Sequence, residues 1–170
     1  MSAGIADVSA EGAGAADHRA AIDERVDEVF GPTELILDLP QNTYEQLNDG
    51  GVIIRKGSVW LRPGSLSVLP SHMSGDVVLF RAKQKVEDIR SSLSHGTGRA
   101  MSRSASKPLA DSYDFAKLRR SVLIPSGVED ASLRTDGPFA YRDLDECLAL
   151  IGDYVEVVVR FALVGYMGHL

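Results

Sequence analysis

The sequence predicts an α+β protein of one domain, and three observations carry that expectation. Short β-branched runs bounded by Gly and Pro crowd residues 35–81. Apolar residues at helical spacing flank them, from His18 to Phe30 and again in Tyr113–Arg120 and Leu144–Ile151. The last apolar run, Tyr154–Val164, reads as a buried strand or a helix packed on a sheet, and its β-branching and the following Gly165 favour strand. With 170 residues, 44% hydrophobic and 25% charged, the chain can build one hydrophobic core and lies far from the disordered class.

Taken in order, residues 1–17 are a small-residue, acidic tail expected to be disordered. Residues 18–34 hold a short amphipathic helix built on Ala21, Ile22, Val26, Val29 and Phe30 and ended by Gly31-Pro32. Residues 35–170 form the folded region. It starts as a small β-meander of Leu35–Leu39, Gly51–Trp60, Leu66–Pro70 and Val77–Arg81, with Pro40-Gln41-Asn42 as a loop. Mixed helices and strands follow. Met101–Ala105 begins a helix, Ser121–Ile124 reads as a short strand, and Asp143 is placed to cap the helix that follows it. Trp60 and Phe80 are expected in the core.

Composition also limits function. No apolar run reaches bilayer length and no secretory leader is legible, so a cytoplasmic protein without membrane contact is expected. The lone Cys147 excludes an internal disulfide and reads as a small packed hydrophobe. The net charge of −6 conceals an asymmetry: residues 1–50 carry eleven Asp/Glu against two Lys/Arg, whereas residues 81–120 carry ten Lys/Arg against four Asp/Glu. A basic block in an acidic chain suits a phosphate-bearing ligand, and equally a solvated helix face.

The stretch Ser94-His95-Gly96-Thr97-Gly98-Arg99-Ala100-Met101-Ser102-Arg103 falls in that block. Glycines around one small residue let backbone amides approach an anion, and a neutral imidazole beside them is a competent nucleophile at phosphorus. Arg99 and Arg103 add fork-shaped donors suited to phosphate oxygens. Alone, the string is also compatible with a glycine turn beside a surface histidine.

His95-Gly96-Thr97-Gly98-Arg99 followed by Met101-Ser102-Arg103 resembles the His-Gly-Ala-Gly-Arg…Met-Ser-Arg signature of RtcB-type RNA-splicing ligases. Three further stretches resemble that family in order. They are Arg55-Lys56-Gly57-Ser58, Leu69-Pro70-Ser71-His72-Met73 and Pro138-Phe139-Ala140-Tyr141-Arg142-Asp143. The similarity covers roughly residues 35–168 and matches the family's carboxy-terminal half. It implies a ligase that joins RNA 3′-phosphate or 2′,3′-cyclic phosphate ends to 5′-hydroxyls through a guanylate formed from GTP on His95. Gly96, Thr97, Gly98, Arg99, Asn42, Ser71, His72 and Met73 would then hold the guanylate, and Arg55, Lys56 and Arg103 the RNA or phosphate. Thr97 stands where the family has alanine, and its hydroxyl is acceptable if the loop faces phosphate.

Departures accompany the match. Gln41 occupies the position of a manganese-binding histidine, and an amide oxygen is a poorer ligand than imidazole. Met167 stands in place of a guanylate-holding lysine, with His169 two residues on, and Val77 replaces a serine. The Asp…Cys pair and further histidines of the family's manganese centre are missing, so the resemblance implies a separate polypeptide supplying the amino-terminal half. Two rival expectations follow: a guanine-nucleotide or RNA-binding module without turnover, or a truncated remnant of the ligase.

Overall fold

A computed structural model describes residues 13–40 and 42–166. Residues 1–12, Gln41, Met167 and His169 lie outside the described residues, and with them the expectations placed there. The fold is α+β, and the chain divides into two compact units, one ending at Trp60 and the other starting at Leu61.

In the first unit, helix α1 spans Ala13–Phe30. It stops at Gly31, whose φ of +82° is costly for a side-chain-bearing residue. The Asp27 carboxylate accepts from both the Thr33 hydroxyl (2.5 Å) and the Thr33 amide (2.8 Å), bonds that hold its pKa below the usual range. The helix covers the expected His18–Phe30 but starts at Ala13, so residues 13–17 are helical where the sequence suggested a disordered tail, and Ile22, Val29 and Phe30 are exposed. Residues 35–39 form no strand, and Leu35 and Ile36 stand in solvent. A strand needs a ladder partner, and apolar residues alone do not supply one.

Strand β1 (Asn42–Gln46) pairs antiparallel with β2 (Val52–Lys56), in register from Asn42↔Lys56 to Gln46↔Val52. Asn42 therefore begins a strand instead of belonging to a loop. The turn closes through Leu47 N–H to Gly51 O (2.8 Å) and uses Gly50 at φ +86°. Strand β3 (Ser58–Trp60) follows Gly57, another left-handed glycine.

The second unit opens with β4 (Leu66–Pro70) and β5 (Val77–Ala82), an antiparallel hairpin from Leu66↔Arg81 to Pro70↔Val77. The strand-rich stretch is thus organised as hairpins, not as one continuous meander. Then come β6 (Ser92–Ser94), α2 (Arg103–Asp111), α3 (Phe115–Ser121), α4 (Asp130–Leu133), α5 (Leu144–Ile151) and β7 (Val155–Phe161). Strand β7 returns to pair antiparallel with β5, giving the sheet order β4-β5-β7.

Alternation along β5 buries Val78, Phe80 and Ala82. A second cluster gathers Met73, Ala110, Phe115, Leu118, Val122, Ile124, Val128 and Leu133. The expected cap at Asp143 is present, accepting from Glu146 N–H at 2.9 Å. Residues 121–124 differ from expectation: Ser121 ends α3, and Leu123 makes one bridge to Gly165. The expected burial of β7 is also not met, since only Val155 is buried and Val157, Val158, Val159 and Phe161 are exposed. Strand β7 lies at the sheet edge, and β-branched residues suit a pleated, half-buried surface, which does not require full burial.

Candidate functional site

The segment His95–Arg99 connects β6 to α2, and the chain around it explains its shape. Ser94 Oγ donates to Gly96 O at 2.5 Å, tightening the turn. A Cβ on Gly96 would come within 3.2 Å of Pro70 O, and one on Gly98 within 3.0 Å of the Arg142 guanidinium. Gly98 also adopts φ +72°, so both its conformation and its close neighbour favour glycine.

Two motifs distant in sequence fasten this loop. Thr97 N–H donates to Pro70 O (3.1 Å), and its hydroxyl reaches Ser71 O at 3.4 Å, a long contact. Thr97 is 4% exposed, so its side chain and its amide both face the protein. Its hydroxyl does not turn towards a ligand as the sequence suggested, and its N–H is already engaged. Arg142 N–H donates to Gly98 O at 3.0 Å, and Ala100 N–H to Ala140 O at 2.8 Å. Cys147 Sγ lies 3.8 Å from Thr97 O, and burial pushes its thiol pKa up.

Arg99 is the most constrained member. Its Nε donates to Met101 O (3.0 Å), Nη1 to Asp136 Oδ1 (2.7 Å) and Nη2 to Ser106 Oγ (3.1 Å). The guanidinium also sits over the Tyr141 ring, 5.5 Å from its centroid. Arg99 therefore holds the loop, with one donor on each of its three nitrogens engaged inside the protein, whereas the sequence placed it at the guanylate. Arg103, the first residue of α2 after the Ser102 cap, is open to solvent and lies 3.7 Å from Asp136. His95 is half-exposed, and among the described residues its ring takes no hydrogen bond or ion pair.

The Pro70–Asp76 loop behind Thr97 is closed by Ser71, whose N–H (3.2 Å) and hydroxyl (2.8 Å) both donate to Asp76 O. A Cβ at Gly75 would fall 2.2 Å from Ser71 Oγ and 2.8 Å from the His72 ring, so any larger residue there must displace one of those side chains. His72 Nδ1 accepts from Ser74 N–H at 3.3 Å. Burial lowers the His72 pKa, against the smaller upward pull of Asp76. His72 also borders a cavity of about 370 Å³ with Tyr141, Arg142, Asp143 and Arg160. Met73 faces the other way: at 4% exposed it packs in the core, where an unbranched apolar side chain fills space instead of lining a nucleotide site.

In the first unit, Arg55 is 3% exposed and pairs with Glu45 at 2.7 Å. Its guanidinium is thus paired within the unit, whereas the sequence placed it at RNA or phosphate. Lys56 remains exposed directly across from Asn42. Among the described residues, no three His, Cys, Asp or Glu side chains gather as a metal-ligand set. The described residues thus do not fit the manganese that the resemblance implies, and no chemistry is drawn through it.

The sequence reading missed Asp136 and Ser106. Asp136 sits between a turn and the Pro138 motif, with no periodicity to mark it. Ser106 reads as an ordinary helix residue, although it is fully buried beneath Arg99.

These contacts define an α+β protein in which the loop carrying His95 is fastened by the Pro70–Asp76 loop and by the 140–142 segment. The tRNA-splicing ligase RtcB family model matches residues 18–168, and the chain belongs to that family. The RNA-splicing ligase RtcB of Escherichia coli K12 is 33% identical over 106 residues, which is 62% of this chain and 25% of that protein. RNA-splicing ligase RtcB1 of Escherichia coli strain ATCC 25922 gives the same figures, 33% over 106 residues. The aligned stretch thus spans a quarter of the length of these curated relatives. No described helix is long and apolar enough to cross a membrane.

Proposed function

We propose that this chain contributes the nucleophile-bearing part of a GTP-dependent RNA ligase that works in the cytoplasm. It would join RNA 3′-phosphate or 2′,3′-cyclic phosphate ends to 5′-hydroxyls through a guanylate on His95. One observation carries the reading: the loop is anchored through Thr97, the Gly98 carbonyl and Arg99, while among the described residues the His95 imidazole has no hydrogen-bond or ion-pair partner. Such an arrangement presents a nucleophile with its position fixed before substrate arrives.

In the first step an imidazole nitrogen attacks the α-phosphorus of GTP. A P–N bond forms, the α–β bridging P–O bond breaks, and pyrophosphate leaves while the ring proton passes to solvent. An RNA 3′-phosphate oxygen then displaces His95 from the guanylate, and the 5′-hydroxyl attacks the activated phosphate with GMP leaving. A 2′,3′-cyclic end is first opened by water. The amides of Gly96 and Gly98 donate to no described backbone carbonyl, which leaves them for nucleotide phosphate. Arg103 is the exposed guanidinium beside them in sequence. The manganese centre and the rest of the site would come from a separate polypeptide carrying the amino-terminal portion. Met167, in place of the family's guanylate-holding lysine, favours a second reading, a guanine-nucleotide or RNA-binding module without turnover.

The test is incubation with α-labelled GTP and Mn²⁺, alone and with an amino-terminal fragment, followed by intact mass. An acid-labile guanylate that disappears in His95→Ala is the expected result. A folded protein with no adduct under either condition overturns the ligase reading and leaves the binding module.

A further inference from the structure

Two arginines of the His95 segment share one carboxylate oxygen, and they share it unequally. Asp136 Oδ1 is 2.7 Å from Arg99 Nη1, a hydrogen-bonded ion pair, and 3.7 Å from Arg103 Nε, an ion pair beyond hydrogen-bond reach. The other oxygen, Oδ2, accepts from the Thr135 hydroxyl at 3.0 Å, so the carboxylate cannot rotate without losing a bond. Exposure follows the same division: the side chains of Arg99 and Asp136 are 20% and 23% exposed, and that of Arg103 is 71% exposed.

We infer that Asp136 is a positioning residue that divides the labour between these arginines. It fixes Arg99 as the strut beneath the His95 loop and leaves Arg103 as the guanidinium that meets an anionic ligand. The physical reason lies in what each guanidinium has left. Arg99 has engaged Nε and both terminal nitrogens, with Met101 O, Asp136 and Ser106. Its charge is neutralised at short range in a partly dry setting, where such a pair is worth more than at the surface. Arg103 keeps both terminal nitrogens clear of Asp136 and starts α2, a helix terminus that itself favours anions. The other ionisable side chain facing Asp136 is Tyr166, whose pKa is raised chiefly by burial and secondarily by this carboxylate.

This inference rests on His95 being the reactive group, and its test separates the two ideas. The variants are Asp136→Asn and Asp136→Glu, with Asp130→Asn as control, since Asp130 pairs with Arg119 away from the loop. The first readout is the rate at which diethyl pyrocarbonate modifies His95, followed by peptide mass; the second is the thermal midpoint. Asp136→Asn is expected to raise the His95 rate by about threefold or more as the loop opens locally. Asp136→Glu and Asp130→Asn are expected to stay within about twofold of the parent. A lower midpoint in Asp136→Asn with an unchanged His95 rate makes Asp136 merely structural and overturns the inference. Should Asp136→Asn not fold, Arg99→Lys decides, because it keeps the charge pair but loses the bonds to Met101 and Ser106. The same rise in His95 rate is expected there, and no rise overturns the inference. Failure of guanylate formation in the parent protein, with the Asp136 effect intact, counts against the ligase reading alone.

Discussion

Two hairpins in this chain have the same five-pair antiparallel ladder and opposite chemistry. The β4–β5 hairpin turns Leu69, Val78, Phe80 and Ala82 inward, and its connecting loop backs the His95 segment. The β1–β2 hairpin turns the Glu45–Arg55 ion pair inward and leaves Tyr44, Val52 and Ile54 exposed. Each also encloses a hydroxyl without a described partner, Ser67 Oγ in one and Thr43 Oγ1 in the other. Identical pairing geometry thus says little about what holds a hairpin in place. The first relies on apolar burial, roughly proportional to area removed from water, and the second on a charge pair whose worth depends on both members staying.

Substitutions can break this contrast, and the largest effect belongs to the apolar hairpin. Phe80→Ala, at a fully buried position, is expected to cost about 3–5 kcal/mol in urea unfolding. A cost below about 1 kcal/mol would mean that the site collapses around the cavity. In the polar hairpin, Glu45→Ala removes the carboxylate paired with the buried Arg55 guanidinium and is expected to cost about 2–3 kcal/mol, below a fully buried pair because Glu45 is 25% exposed. Removing both charges with Glu45→Ala plus Arg55→Met should recover part of that loss, measured as a double-mutant cycle.

The pH test is smaller and concerns the loop between β4 and β5. The folded-state pKa of His72 is lowered by burial, so the unfolded chain takes up the proton first as pH falls. The associated stability is complete above the unfolded value of about 6.5 and is lost as pH drops through the depressed folded value. His72→Gln should flatten that part of the stability–pH curve, and an unchanged curve would show that another group is responsible. The smallest effect is Ile54→Thr on the exposed face of β2, expected within about 0.5 kcal/mol of the parent.

Much of the fold was legible locally. Asp143 as a cap, the helix it starts, the β4 and β5 strands and the final β-branched strand follow from hydrogen-bonding side chains and periodicity acting over a few residues. The His95 motif was equally legible, because left-handed and closely approached positions restrict residue choice to glycine. Strand β1 was missed because Asn-Thr-Tyr-Glu-Gln has one aromatic and no aliphatic residue, and its inward face is polar. Arg55, Arg99 and Met73 are expected at a ligand from the sequence, and the structure seats them against Glu45, Asp136 and the core. An arginine in a motif looks the same whether its partner is a phosphate or an aspartate far along the chain.

By itself the sequence determined the class of fold, the family, and the residue types that can occupy the reactive loop, since these follow from short-range sterics and ordered motifs. Tertiary structure decided which of those residues remain available. It turned the guanidinium of Arg99 and the amide of Thr97 to partners inside the protein, while Arg103 stays exposed and the imidazole of His95 has no partner among the described residues. The physical reason is that a polar group's role depends on what satisfies it, and partners such as Asp136 and Pro70 come close only when distant segments pack.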